Sequence, residues 1–263
     1  MSIVPDDIAD YLSEINSRDL FHWGEMSQFL PQGMFDDLND SYPNIDKFDK
    51  HTGIQRIHDQ RPHDRYYLAY SRSIYGSNKA NNGVIEYEEL SDVWKLFVDE
   101  ILHSDAYHNF IREVLGVEEF GIRLAWHMAF NGCEVSPHLD AVTKYGTHLF
   151  YFNTDKDWKN EWGGGTVLME GKRVEAMNPE FTDFDHQIVE SSIINNKSFI
   201  FQNSDASWHG VKRINCPEGI YRRIFTVVFE QKGAHTSAVK KRSLKNNIVK
   251  KISKMWKQTV TSQ

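Results

Sequence analysis

The spacing of apolar positions changes character near Gly121. Before it, apolar residues recur at helical intervals; after it, they gather in short β-branched and aromatic runs. In "PDDIADYLSEI", Ile8, Tyr11, Leu12 and Ile15 share one face, and Pro5 with two aspartates opens the first turn, so residues 5–40 read as helical. A polar, loop-like span, "SYPNIDKFDKHTGIQRIHDQRPHDR", leads into a strand-like "YYLAYSRSIYG". The strongest helical signal follows in "LSDVWKLFVDEILHSDAYHNFIREVLGV". Ser91 or Asp92 can cap it, and Trp94, Leu96, Phe97 and Ile101 form its apolar face. A break near Ser104 divides the segment, and Gly116 stops it.

The second half reads as strands: "IRLAWHMAF", "THLFYFN", "GTVLME", "SSIINNKSFIFQN" and "RRIFTVVFEQ", separated by Gly, Asn and Asp. "EWGGGTVLM" predicts a turn between two of them. Helices first and strands afterwards imply an α+β fold, a double-stranded β-helix (jelly roll, cupin-like) with N-terminal helices packed on one sheet. The expected divisions are a helical and mixed part at 1–120, a jelly-roll core at 121–232 and a basic C-terminal amphipathic helix or tail at 233–263.

Composition narrows the class. With 40% hydrophobic and 25% charged residues, 263 positions can bury a substantial core, and no run is long and apolar enough for a membrane span. The acidic start, interrupted by Pro5, does not have the form of a secretory or transit peptide. Two cysteines, Cys133 and Cys216, make neither a disulfide framework nor an all-sulfur metal site, and a cytoplasmic location is the expectation. Eight of the 30 basic residues fall after position 239 with no acidic ones, leaving 22 against 37 acidic residues elsewhere. Such an acidic body argues against nucleic-acid binding.

Two of the twelve histidines stand apart. In "SPHLDAVTKYGTHLFYFN", His138 and Asp140 are two residues apart on an extended segment, so they lean toward the same side. His209 follows the strand "SFIFQN". Two imidazoles and one carboxylate from separate strands form a three-ligand site with open positions, the arrangement of non-haem Fe(II) enzymes that activate dioxygen. His22, His51, His58, His63, His103, His108 and His235 show no partner pattern and read as structural or solvated. In "YRRIFTVVFEQ", two arginines open a strand that is apolar on both faces. A buried guanidinium needs an anion and grips a carboxylate with two prongs. A cosubstrate with a metal-chelating end and a distal carboxylate fits, and 2-oxoglutarate has that form.

With these features in place, residues from about Gly121 to Glu230 resemble the Fe(II)- and 2-oxoglutarate-dependent oxygenases, most closely the prolyl 4-hydroxylase-like branch. "HLD", "FYFNTDKDWKNEWGGGTVLME", "WHGV" and "RRIFTVVF" follow in family order. The resemblance implies iron on His138, Asp140 and His209, 2-oxoglutarate held by Arg222 and Tyr151, and dioxygen as cosubstrate, with ascorbate a candidate additional cofactor. Arg222 is matched because Thr226 and Val227 fill the family's Thr-Val positions. Alternation places Arg222, Ile224 and Thr226 on one face and Arg223, Phe225 and Val227 on the other, and a slip of one residue would exchange the two arginines. For Tyr151 the other reading is a core tyrosine in an aromatic strand. Met128 stands where relatives often carry a second tyrosine, and the link from His209 to Arg222 is long, with Cys216, Pro217 and Gly219 as turn signals. Asp140 itself favours hydroxylation, because halogenating relatives have a small residue there.

The implied activity is hydroxylation of a C–H bond in an amino acid, a peptidyl residue such as proline, or another small molecule, with release of succinate and carbon dioxide. The rivals are a cupin-type metal enzyme without 2-oxoglutarate and a non-catalytic jelly-roll interaction protein. Trp158 and Trp162 are candidates for a lid at the pocket mouth or for packing under a turn. Arg123, Trp126, His127 and Asn131 are candidates for substrate contact. The stripe Leu244, Ile248, Ile252 and Trp256 fits a terminal helix packed on the acidic body or lying on an anionic membrane surface. No motif specifies substrate or oligomeric state.

Overall fold

The computed structural model describes residues 2–54, 61–73 and 83–233. Among the described residues, four α-helices precede most of the strands: α1 (Ile8–Asn16), α2 (Gln32–Asp40), α3 (Asp92–His103) and α4 (Asp105–Leu115). The break between α3 and α4 falls at Ser104, whose hydroxyl accepts from Tyr107 N at 3.4 Å, and Gly116 ends α4 in a left-handed conformation at φ 65°. Ser91 caps α3 by position, without a side-chain hydrogen bond.

The strands form two sheets. The larger runs β1 (Trp23–Ser27), β10 (Lys197–Gln202), β7 (Lys144–Tyr151), β12 (Arg222–Glu230), β5 (Gly121–Ala129), β3 (Arg65–Tyr70), β2 (Asp49–His51), with β4 (Val84–Ile85) added to β3. The smaller runs β6 (Val135–His138), β11 (Trp208–Val211), β8 (Val167–Lys172), β9 (Phe184–Glu190). This is the α+β arrangement the sequence predicts: helices on one face of the large sheet, and the small sheet over the other.

Strand alternation splits the core accordingly. From β5, β7 and β12, the side chains Trp126, Phe150, Phe225 and Val227 join Trp94 and Phe97 in a cluster between helices and sheet. Leu149, Tyr151 and Ile224 join Phe199 and Leu168 in a second cluster between the sheets. Each large side chain fully withdrawn from water contributes about 1.5–3 kcal/mol, so both layers matter to stability.

Three details differ from the sequence expectation. Residues 5–40 are not continuously helical, because Trp23–Ser27 pairs with β10 as the sheet's edge strand. Leu96 is 42% exposed; the buried face of α3 is Trp94, Phe97, Val98 and Ile101. β9, "FDHQIVE", has too many polar residues to read as a strand and forms through its pairing with β8. The predicted C-terminal helix, together with His58 and His235, lies outside the described residues.

Candidate metal centre and cosubstrate cavity

His138 and His209 face each other as direct partners in the β6–β11 ladder, which sets their ring centroids 4.3 Å apart. Asp140 lies two residues beyond the end of β6 and places Oδ2 4.0 Å from His209 Nε2. One ligand-capable atom from each of the three residues falls within 4.8 Å of the others. His138 Nδ1 is 3.0 Å from the Ser136 carbonyl, and His209 Nδ1 is 2.9 Å from that of Ser207. Each contact requires the Nδ1 proton, so the unprotonated Nε2 of each ring is left to coordinate.

Lys144, at the start of β7, donates to Asp140 Oδ1. Burial alone would raise the Asp140 pKa, but Lys144, His209 and His138 outweigh it and hold the carboxyl well below its ordinary range. The Asp140 carboxylate, with one oxygen occupied by an ammonium, presents its second oxygen as a single-atom ligand.

The three residues open into a cavity of about 350 Å³ between the sheets. Arg222, Ile224 and Thr226 line its far wall, whereas Arg223 points away and bonds Asp157. The register therefore puts Arg222 on the cavity side. Arg222 is only 6% exposed, and its guanidinium lies 5.4 Å from the Tyr151 ring centroid. Burial lowers its pKa, although the neighbouring Tyr151 opposes this. Among the described residues, Arg222 Nε and Thr226 Oγ1 have no hydrogen-bond partner, although both are buried and border the cavity. Gly164, at φ 93°, makes room for the arginine: a Cβ there would lie 3.1 Å from Arg222 Cδ.

The Tyr151 hydroxyl sits 2.9 Å from Thr166 Oγ1 and 2.7 Å from Ser191 Oγ, and its ring lies against the Arg222 guanidinium. Met128 and Trp126 belong to the helix-side core, where Trp126 packs 4.8 Å from the Phe225 ring centroid. His127 and Arg123 line the cavity instead, while Asn131 is exposed in the turn after β5. Trp158 is buried, donates Nε1 to Gly163 O at 3.0 Å and meets Trp162 edge-on, which is packing under a turn and not a lid.

Sequence reasoning missed the opposite end of the cavity. His51, His63, Arg65 and Tyr67 border it. Only the alternation of Arg65, Tyr67 and Ala69 along β3 could have signalled them. The pairing of His51 with Arg65 comes from the β2–β3 ladder, which no local pattern encodes.

Residues 124–230 match the family model of the 2OG-Fe(II) oxygenase superfamily. The chain carries that domain. No curated protein matches the chain. Among solved structures, this oxygenase is similar to a Pseudomonas putida prolyl-4-hydroxylase, with TM-score 0.53 and 14% identity over 86% of this chain and 99% of that one. It is also similar to a Trichoplax adhaerens prolyl hydroxylase in complex with a hypoxia inducible factor peptide fragment, with TM-score 0.57 and 12% identity over 87% and 91%. A Phytophthora capsici prolyl 4-hydroxylase aligns at TM-score 0.51 and 14% identity over 88% and 66%. At these identities the likeness is one of fold.

Proposed function

We propose that this oxygenase is an Fe(II)- and 2-oxoglutarate-dependent hydroxylase of a small-molecule or peptidyl substrate, with His138, Asp140 and His209 as metal ligands and Arg222 as the anchor of the cosubstrate's distal carboxylate. One observation carries the reading: two imidazoles and a carboxylate share a cavity with a buried arginine that has a vacant donor. The donor set suits ferrous iron, since two neutral nitrogens and one anionic oxygen leave positions for cosubstrate and dioxygen. Arg222 Nε and Thr226 Oγ1 suit a carboxylate, which would satisfy both.

When bound, iron and 2-oxoglutarate supply the oxidising chemistry, consuming dioxygen and releasing succinate and carbon dioxide as the substrate C–H bond is hydroxylated. The protein's own tasks are positional. Ser136 and Ser207 carbonyls fix the imidazole tautomers, and Lys144 fixes the carboxylate. Tyr151, pinned by Thr166 and Ser191, supports the guanidinium from behind. Phe201, 4.6 Å from the His209 ring centroid, and Leu149 give the cavity an apolar flank that limits water near the metal.

A cupin-type enzyme without 2-oxoglutarate has no use for a buried cation at position 222, which weakens that alternative. The peptide-bound Trichoplax structure supports keeping peptidyl substrates in view. The test is an anaerobic titration with Fe(II) and then 2-oxoglutarate, watching for the visible charge-transfer band of the chelate. Succinate release across a substrate panel, with and without ascorbate, would follow. A band in the parent that disappears in His138→Ala and His209→Ala supports the reading. Failure of the parent to develop a band would overturn it.

A further inference from the structure

The large sheet borders a second hollow, of about 400 Å³, on its helix side. The floor is apolar: Leu102 from the end of α3, Phe120 from the link between α4 and β5, and Ile122 from β5 itself. Phe120 meets His108 edge-on at 5.5 Å and Phe229 edge-on at 5.3 Å. All three floor residues pack on the helix-side core yet stay only partly buried, and none of the described residues fills the space above them. Ile122 and Arg123 are neighbours on a strand and point to opposite faces, so Ile122 lines the hollow while Arg123 lines the metal cavity.

The course of the chain brings its own last segment here. β12 runs antiparallel to β5, with Glu230 opposite Gly121, so the chain returns beside the start of β5. Lys232 lines the hollow and pairs with Glu119 at 3.1 Å, and a Cβ on Gly121 would lie 3.8 Å from Lys232 Cα. From Ala234 to Leu244 is 11 residues, a reach of at most about 40 Å. Over so short a tether the effective concentration is on the order of millimolar. The stripe Leu244, Ile248, Ile252 and Trp256 recurs every fourth residue, which on a helix makes one apolar face about 18 Å long.

Charge favours the same contact. The segment after position 239 has eight basic residues and no acidic ones, against 22 basic and 37 acidic residues in the rest of the chain. Glu118 and Glu119 stand exposed at the rim of the hollow. The cations of the rim are already engaged: Arg112 donates to Glu118 O at 3.1 Å and to Asn109 Oδ1 at 2.7 Å, and Lys232 pairs with Glu119. A body of this sign attracts a basic segment and opposes the approach of an anionic lipid surface.

We propose that residues 240–257 dock as an amphipathic helix in this hollow of their own chain, with Leu244, Ile248, Ile252 and Trp256 against Leu102, Phe120 and Ile122, and with the lysines toward the acidic rim and solvent. The docking is separate from the metal site and holds whatever reaction the cavity performs.

The test is limited digestion of the full-length protein with trypsin, which cuts after the basic residues of the segment. Cleavage between 240 and 257 should be about tenfold slower in the parent than in Leu102→Lys, which puts a charge on the floor of the hollow. The double variant Ile248→Asp, Ile252→Asp should lose the same protection, and amide hydrogen exchange across 117–121 should quicken in it. That double variant leaves the described residues unaltered, so it decides the matter should Leu102→Lys fail to fold. Equal cleavage rates in the parent and the double variant would overturn the proposal. So would protection lost in the double variant but kept in a folded Leu102→Lys, which puts the segment elsewhere, or protection that grows with protein concentration, which puts it on a second copy. Absence of protection in solution, with binding to phosphatidylserine vesicles that the double variant loses, would assign the segment to a membrane surface instead.

Discussion

Lys144 holds Oδ1 of Asp140 while Oδ2 of the same carboxylate faces His209 Nε2 at 4.0 Å. The ammonium thus divides the carboxylate into an oxygen turned outward and an oxygen left for a metal.

The first prediction follows from that division. Asp140→Asn removes the only anionic member of the cluster, and Mn(II) affinity should fall about a hundredfold or more, beyond the 10–100-fold typical of outer-sphere changes. Mn(II) electron paramagnetic resonance titration measures this directly. Retained affinity would mean that the metal is held elsewhere.

The two arginines at the start of β12 should behave differently. Arg222→Gln removes a buried cation from the cavity, and 2-oxoglutarate affinity of the Mn(II) protein should drop by about a hundredfold or more. Arg222→Lys should recover only part, since an ammonium cannot match the planar fork. Arg223→Gln breaks a pair with Asp157 outside the cavity, and affinity should stay within about threefold. Calorimetry on the three variants decides between the registers.

Much of this site was legible because it rests on local patterns. The His-x-Asp spacing, the strand before His209 and the alternation through Arg222, Ile224 and Thr226 are all readable one segment at a time. The helix pair was legible for the same reason, with Ser104 and Gly116 as its punctuation. What escaped depends on pairing between distant segments. β1 is a strand because β10 offers it an edge, and nothing in "WGEMS" alternates clearly. His51 and His63 looked ordinary because their relation to Arg65 exists only once β2 and β3 are paired and the chain folds over the cavity.

A buried histidine remote from the metal should make stability depend on pH. His148 is fully buried, with Nδ1 3.0 Å from the Tyr107 hydroxyl, and burial brings its pKa down to about 3. The unfolded chain binds that proton near pH 6.5, so the native state carries a penalty that grows as pH falls from about 6.5 toward 3. The slope is about 1.4 kcal/mol per pH unit. In metal-free protein, His148→Phe lacks this slope but strands the Tyr107 hydroxyl, at a cost of about 1–3 kcal/mol. Urea unfolding at pH 7, 6 and 5 should show the variant less stable at pH 7 and the gap closing on acidification. A gap constant with pH would mean that His148 does not contribute this way.

The glycine behind the arginine offers a separate handle on the cosubstrate end. Gly164 has φ 93°, and an added Cβ would meet Arg222 Cδ at 3.1 Å, Ile193 Cδ1 at 3.2 Å and Trp158 Cζ2 at 3.3 Å. The positive φ alone costs an alanine about 1–3 kcal/mol. The contacts add a displacement, and of the three neighbours the arginine stem is the one that can move toward the open cavity. Gly164→Ala should therefore lower the melting temperature and weaken 2-oxoglutarate binding by about tenfold, because a shifted guanidinium misses its aligned hydrogen bonds. Mn(II) affinity without cosubstrate should remain within about threefold, since the metal cluster is built on β6, the turn after it and β11. Gly116→Ala separates strain from displacement. It too has a left-handed φ, 65°, but nothing lies within 4 Å of its added Cβ, so it should cost stability and leave both affinities unchanged. If Gly116→Ala weakened 2-oxoglutarate binding equally, the effect would be one of global stability and the packing of Gly164 on Arg222 would not explain it.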